Sequence, residues 1–246
     1  MPWAFVIAPT FRKLGLRPRY FVDARSSPLF KRLAQWWLPD ARRLDSTAPF
    51  VEAMYEQILA ACGRKWVLRL DDDEAPSAAL VDWLRTELGN TDKRVVAIAR
   101  RAVLLRDGAA YYAAAIPNIQ ACDYQYRLFL RNGVRLRPEI HTPAIHFDAD
   151  DVLYAPQECC IYHLDWVVRT HAERAAKLDF YAAILPGAGQ VFRAQYLPED
   201  VGSIALGLVP LADTDILRVA LKLRTAGRIV RALKWVRQLA TRQRHG

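Results

Sequence analysis

Long apolar runs are what this chain most plainly lacks. No stretch of about 18 residues stays apolar and uncharged, so the sequence offers no candidate for a membrane-crossing helix. Cysteine is scarce as well. The four cysteines, Cys62, Cys122, Cys159 and Cys160, make no C-x-x-C pair, and the adjacent Cys159-Cys160 is a poor start for a disulfide framework. Reduced thiols in the cytosol are the expectation. The opening MPWAFVIAPTFRK has an apolar run too short for a signal-peptide core and no basic residue ahead of it, so a secretory leader is not expected. There is no internal repeat and no low-complexity tract. Acids also run out: none follows Asp215.

What is present is the composition of a folded protein. Hydrophobic residues make up 52% of the chain and charged residues 25%, which excludes a mostly disordered or collagen-like polymer. A length of 246 residues suits one large α/β unit with an appendage better than two full domains. The net charge of +9 favours anionic partners such as phosphates, nucleic acid or an acidic membrane surface.

Short apolar runs bounded by Pro, Gly or Asp predict strands at Ala4–Pro9, Arg19–Ala24 and Lys65–Leu70. Helices are predicted at Pro28–Trp37, Pro49–Cys62 and Pro76–Leu88, with Pro76 in a first turn. Strand and helix in alternation imply a parallel sheet with helices on its faces. Past Asn90 the pattern changes. Asp107-Gly108 and Asn132-Gly133 predict two hairpins, one on Arg94–Leu105 and one on Tyr124–Leu130. A strand over Glu158–Asp165 then leads into a helix over Val167–Tyr181.

The most informative segment is Asp71-Asp72-Asp73-Glu74, directly after the strand KWVLRL. Open α/β sheets bind ligands at the C-terminal ends of their strands, and clustered carboxylates are costly there unless a cation neutralises them. Mg²⁺ or Mn²⁺ fits such oxygen ligands and bridges them to a diphosphate. The plainer reading is that the acids cap the helix that follows, favoured by its dipole.

KWVLRLDDDEAPS resembles the D-x-D segment of GT-A-fold glycosyltransferases, in particular the family-2-type group of bacteria. RYFVDARSS resembles the second strand of that group, CDYQYRLFLRNGVRL its "RLF" strand and turn, and IYHLDWVVRTHAERAAKLDFY a late His-x-Asp-Trp segment. The likeness spans about Trp3 to Tyr181. It departs at the start, where only about ten residues separate Pro9 from Tyr20, and in lacking the Glu-Asp pair that usually supplies the base. The fold it implies is α/β: a GT-A-like, Rossmann-like mixed sheet flanked by helices over residues 1–212, with a hairpin-rich second half and a basic C-terminal helix over 213–246. The activity it implies is transfer of a sugar from a nucleotide-diphosphate donor to a glycan or lipid-linked acceptor, inverting and dependent on Mn²⁺ or Mg²⁺. Asp71 would contact the donor and, with Asp73, the metal; Asp23 would lie near the nucleotide base.

Other roles are assigned from the residues themselves. His163 ends an apolar strand and is a candidate third metal or diphosphate contact, with Asp165 placed to orient its ring; the alternative is a hydrogen-bonded core histidine. Arg169, Arg174 and Lys177 could clamp phosphate oxygens, though Glu173 and Lys177 also have the spacing of a surface pair. For the catalytic base the resemblance points to Asp123, just ahead of the YQYRLFL strand, and Glu139 beside His141 is the second candidate. Arg127 shares a strand face with Gln125 and Phe129, and either reaches the site or snorkels.

Beyond Asp213, apolar Ile216, Val219, Leu223, Ala226, Val230 and Leu233 form a helical stripe among Lys and Arg. Two readings stand: a helix that lies on an anionic bilayer from the cytoplasmic side, or one that packs its stripe on the rest of the chain. No nucleic-acid motif is visible. A nucleotidyltransferase, and a non-enzymatic membrane- or RNA-binding module, are the competing function classes.

Overall fold

The computed structural model describes residues 3–24, 26–38, 41–44, 51–114, 123–137, 145–185, 187, 192–200 and 206–242, with the backbone alone at 4, 51 and 232–242. The protein is mixed α/β, with parallel and antiparallel strand pairs and helices flanking the sheet. It divides into two compact units, one of residues 1–100 and 122–162 and the other of residues 101–121 and 163–246. No helix among the described residues is long and apolar enough to cross a membrane. Cys62, Cys159 and Cys160 form no disulfide among the described residues.

The first unit opens with a correction. The run expected as a strand over Ala4–Pro9 lies inside helix α1, Trp3–Lys13. Trp3, Ile7, Ala8 and Phe11 are buried at the three-to-four residue steps of a helix face. Gly15, at φ 71°, ends the helix by letting the Leu16 amide reach the Phe11 carbonyl at 2.8 Å. Strand β1, Phe21–Asp23, leads into α2, Pro28–Trp37, where the Ser27 hydroxyl accepts the Phe30 amide and Pro28 opens the first turn. The chain returns in β2, Arg42–Leu44, parallel to β1 with Phe21 opposite Arg42. Ala8, Val22, Ala34 and Leu38 form the small core of this βαβ unit.

A 3₁₀ turn, Val51–Met54, and α3, Tyr55–Ala61, take the place of the helix predicted over Pro49–Cys62, whose first residues lie outside the described ones. Then come β3, Trp66–Leu68, and β4, Glu74–Pro76, followed by α4, Ala78–Glu87. Pro76 therefore closes a short strand and is not in a first helical turn. The long β5, Val95–Arg106, turns at Asp107-Gly108 into β6, Ala109–Ala113. Both turn residues have positive φ, 50° and 79°, as the hairpin signal requires.

The second predicted hairpin does not form. Strand β7, Asp123–Leu130, pairs antiparallel with β3 and β5, whereas β8, Arg135–Leu136, pairs with β9, Ile145–His146. The Asn132-Gly133 turn thus sends the chain away from β7, because both edges of that strand are already taken. The expected all-parallel first half is corrected by the same pairing: β3 meets β7 antiparallel, with Trp66 opposite Leu130. Strand β10, Val152–Tyr154, does run parallel to β5, with Val152 opposite Val95. Covered on both faces, Val95 to Ala99 are fully buried. The unit's main core joins Leu80, Val96, Ile98, Leu128, Ala155, Cys159 and Ile161. Strand β11, Cys160–His163, neighbours β4, and the Ser77 amide donates to the Cys160 carbonyl at 2.9 Å.

In the second unit, residues 103–106 of β5 pair with β6, and β12, Leu208–Pro210, extends that pairing on the far side of β6. The helix predicted over Val167–Tyr181 is two helices, α5, Asp165–Val168, and α6, His171–Ile184, the second started by a reciprocal Thr170/Glu173 capping box. A short α7, Arg193–Tyr196, contributes Ala194 to a core with Ala102, Ala113, Trp166 and Leu206. Helix α8, Thr214–Arg242, follows. Ile216, Val219, Ala220 and Leu223 are buried, so the first half of the predicted stripe packs within this unit and adjoins α5.

Candidate functional site

The acid cluster has the local structure of a turn held by arginine. Past β3 the Arg69 amide still donates to the Arg127 carbonyl at 2.8 Å, and the chain then turns through Asp71 to Asp73 into β4. Arg127 Nη2 donates to Asp71 Oδ2 at 3.0 Å and to Glu74 Oε1 at 2.7 Å. The Asp71 amide closes the loop by donating to Glu74 Oε2 at 3.0 Å. Arg69 stands 3.6 Å from the other Asp71 oxygen. Strand alternation puts Arg127 on the face of β7 that meets this turn, so its charge is spent on the acids and does not snorkel.

The acids themselves divide. Asp72 is exposed, Asp71 is half-buried, and Asp73 and Glu74 are buried at 3% and 0% exposure. Burial pushes the Glu74 carboxyl above the ordinary range, and Arg127 only partly opposes it. Burial raises Glu52 in the same way and pushes Tyr55 up to about 12. For Arg127 the effect of burial, which lowers a guanidinium's pKa, is outweighed by Asp71 and Glu74, and its pKa is raised. The Arg69 guanidinium lies 5.2 Å from the centre of the Tyr55 ring. None of these acids caps α4: Ser77 is the N-cap, its hydroxyl accepting the Leu80 amide at 3.1 Å. The N-cap position that the plainer reading gave to the acids is held by Ser77.

In the second unit His163 is buried at the end of β11, and Asp165, 1% exposed, opens α5. Asp165 Oδ1 is engaged by Arg169 and by Lys177, the latter at 3.5 Å, while Oδ2 is buried with no hydrogen-bond partner among the described residues. Lys177 also sits 5.0 Å from the Tyr196 ring. The spacing that suggested a Glu173–Lys177 surface pair is used otherwise, since Glu173 belongs to the capping box. Arg174 is 2% exposed; its donors go to the carbonyls of Tyr196 and Arg169, at 2.7 and 2.8 Å, and to Glu199. With its fork so engaged, Arg174 holds α6 to α7 and the turn that follows.

Asp123 starts β7 in a pair with Arg100 at 2.7 Å and also accepts from Gln125. Asp23 ends β1, its carbonyl accepting the Ser26 amide. Glu139 lies outside the described residues. Of the expected metal ligands, Asp71 and Asp73 belong to the first unit and His163 to the second. In the second unit Asp165, with its buried Oδ2, was read from the sequence only as a partner for the ring of His163. Its signal was present, an acid two residues after a histidine at a strand end, but the same spacing suits a supporting role equally.

These features describe a mixed α/β protein with buried acids at the end of a sheet strand. Among known proteins, no family, no curated sequence and no solved structure matches the chain.

Proposed function

We propose that the protein is a metal-dependent glycosyltransferase using a nucleotide-diphosphate sugar and a glycan or lipid-linked acceptor. The observation that carries the reading is the Asp71-x-Asp73 turn past the end of β3, in which Asp71 is half-buried and Asp73 and Glu74 are buried. In the second unit Asp165 Oδ2 is a buried acceptor with no hydrogen bond among the described residues, which is costly unless a cation meets it. Such an acceptor is the expected residue chemistry beside a cation. Two carboxylates and an imidazole suit Mn²⁺ better than Mg²⁺, because imidazole is a softer ligand than the oxygens Mg²⁺ prefers.

In this reading Asp71, Asp73 and His163 would hold the ion, and Asp71 would also contact the donor. A bound divalent ion would supply charge neutralisation for the departing diphosphate. Arg169 and Lys177, which already converge on Asp165, add positive charge for the same leaving group. The acceptor hydroxyl attacks the anomeric carbon as the bond to the diphosphate breaks, and its proton passes to a carboxylate. Asp123 is the assigned base and Glu139 the second candidate; Asp23 is assigned to the nucleotide. The basic helix α8 is assigned to an anionic membrane surface on the cytoplasmic side. A nucleotidyltransferase would need a glycine-rich loop after its first strand, and residues 9–15 are the end of helix α1 and its cap.

The test is hydrolysis of a panel of nucleotide sugars with and without Mn²⁺, using wild type and Asp73→Asn. Release of nucleotide diphosphate that needs Mn²⁺ and is lost in a folded Asp73→Asn protein supports the reading. Equal activity of the variant, or no turnover of any donor by wild type, removes it.

A further inference from the structure

Helix α2 has one face in the βαβ core and a second that no described residue covers. Ala34 and Leu38 pack with Ala8 and Val22, with Phe30 alongside. On the adjoining side Leu29, Leu33, Trp36 and Trp37 are 69, 38, 86 and 69% exposed. At 100° per residue these four positions fall within an arc of about 100°, the width of a stripe that ordinarily faces a core. Single exposed apolar residues are common on protein surfaces, but a continuous stripe with two tryptophans marks an interaction surface.

The surroundings indicate what it meets. Of the first 44 residues nine are Lys or Arg and two are Asp. Arg12, Arg17, Arg32 and Arg42 are exposed and enter no ion pair among the described residues. They lie on α1, the segment after it, α2 and β2, so positive charge is spread over several elements of this βαβ unit and not gathered into one pocket. Spread charge beside an apolar stripe matches a plane of negative headgroups above a hydrocarbon layer. Tryptophan favours the level where those two meet.

We propose that this face of α2 docks on an anionic lipid bilayer, with Leu29 and Leu33 toward the acyl chains and Trp36 and Trp37 at headgroup level. The proposal concerns attachment and holds whether or not the protein transfers sugars.

The test uses the full chain, wild type and Trp36→Gln/Trp37→Gln, with vesicles of phosphatidylcholine alone or mixed with phosphatidylglycerol. Both tryptophans are exposed, so the thermal midpoint should not move. Wild type is expected to co-sediment with the anionic vesicles, less so as salt rises. Its fluorescence should be quenched by brominated acyl chains. The double variant should bind more than about tenfold more weakly, because two large side chains no longer leave water, and should lose that quenching. If the variant is quenched as strongly as wild type, the contact lies elsewhere, α8 included, and the proposal fails. It fails too if wild type binds neutral vesicles equally well. Self-association of wild type without vesicle binding, abolished in the variant, would make the face an interface between two copies of the chain.

Discussion

At the residue scale the buried charges are the most demanding feature of this protein. Glu74 is fully buried, and burial raises its pKa above the ordinary 4.5 despite Arg127. A carboxyl whose folded pKa is raised is best accommodated when protonated. Its contribution is therefore favourable below the unfolded pKa and lost as pH climbs through the folded one. Glu74→Gln, whose single carbonyl oxygen keeps an acceptor for Arg127 while its NH2 meets the Asp71 amide, should gain in thermal midpoint relative to wild type as pH rises from about 4.5 toward neutral. A gap that moves in favour of Glu over that range would mean that the ion pair with Arg127 outweighs burial. Arg174 works differently: its removal strands several carbonyls and breaks a pair with Glu199. Arg174→Met should cost about 3 kcal/mol or more in urea unfolding, well above the loss from an exposed arginine. The sequence made Asp71, Asp73 and His163 visible because they adjoin a strand with recognisable ends. It hid Glu52 and Tyr55, which adjoin the same charged cluster, because residues on separate elements carry no shared local pattern.

Single elements show where local signals suffice and where packing overrides them. Asp107-Gly108 was legible because a left-handed pair of turn residues has few other uses. Ala4–Pro9 was not, since a six-residue apolar run fits strand and helix alike, and burial of Trp3, Ile7 and Phe11 decides for the helix. The second hairpin failed for a non-local reason: β3 and β5 occupy both edges of β7, and nothing near Asn132-Gly133 records that. Ser77 is the element-scale joint. Its hydroxyl accepts the amides of Leu80 and Cys160 and donates to the Glu158 carbonyl, tying β4, α4 and β11 together. Ser77→Ala should lower stability by about 1–2 kcal/mol from the cap alone, with more from the stranded Cys160 amide. Thermal unfolding checks this, and a loss below a few tenths would show that the three bonds are not made in solution.

For the whole molecule the C-terminal helix is both structure and surface. Removal of residues 213–246 takes away Ile216, Val219, Ala220 and Leu223, side chains whose burial is worth about 1.5–3 kcal/mol each for the larger ones. That deletion should leave a protein that aggregates or melts at low temperature. Removal of residues 232–246 spares those side chains while taking out Lys234, Arg237, Arg242 and Arg244. The shorter variant should melt close to wild type yet bind anionic vesicles more weakly, by about 1 kcal/mol for each basic residue that engages the surface. Unchanged vesicle binding would confine α8 to its packing role. The basic composition of this segment was plain in the sequence, and so was a stripe; how far along the helix the stripe is covered required α5.

The discontinuity of the first unit has a consequence for synthesis. Val95 to Ala99 are the most completely enclosed stretch of sheet, yet they acquire β7 only with residues 123–130 and β10 only with residues 152–154. At about 5–20 residues per second, a nascent chain that has completed Ala99 waits roughly 3–11 s before Tyr154 exists, allowing nothing for transit of the exit tunnel. During that interval its most apolar strand has no permanent neighbour on one side or the other. The hairpin with β6 forms first and shields only the distal end, residues 103–106. Translation therefore exposes Val-Val-Ala-Ile-Ala as a ready site for a ribosome-associated chaperone, and ribosomes stalled between codons 100 and 150 should carry that chaperone more often than ribosomes stalled past codon 162.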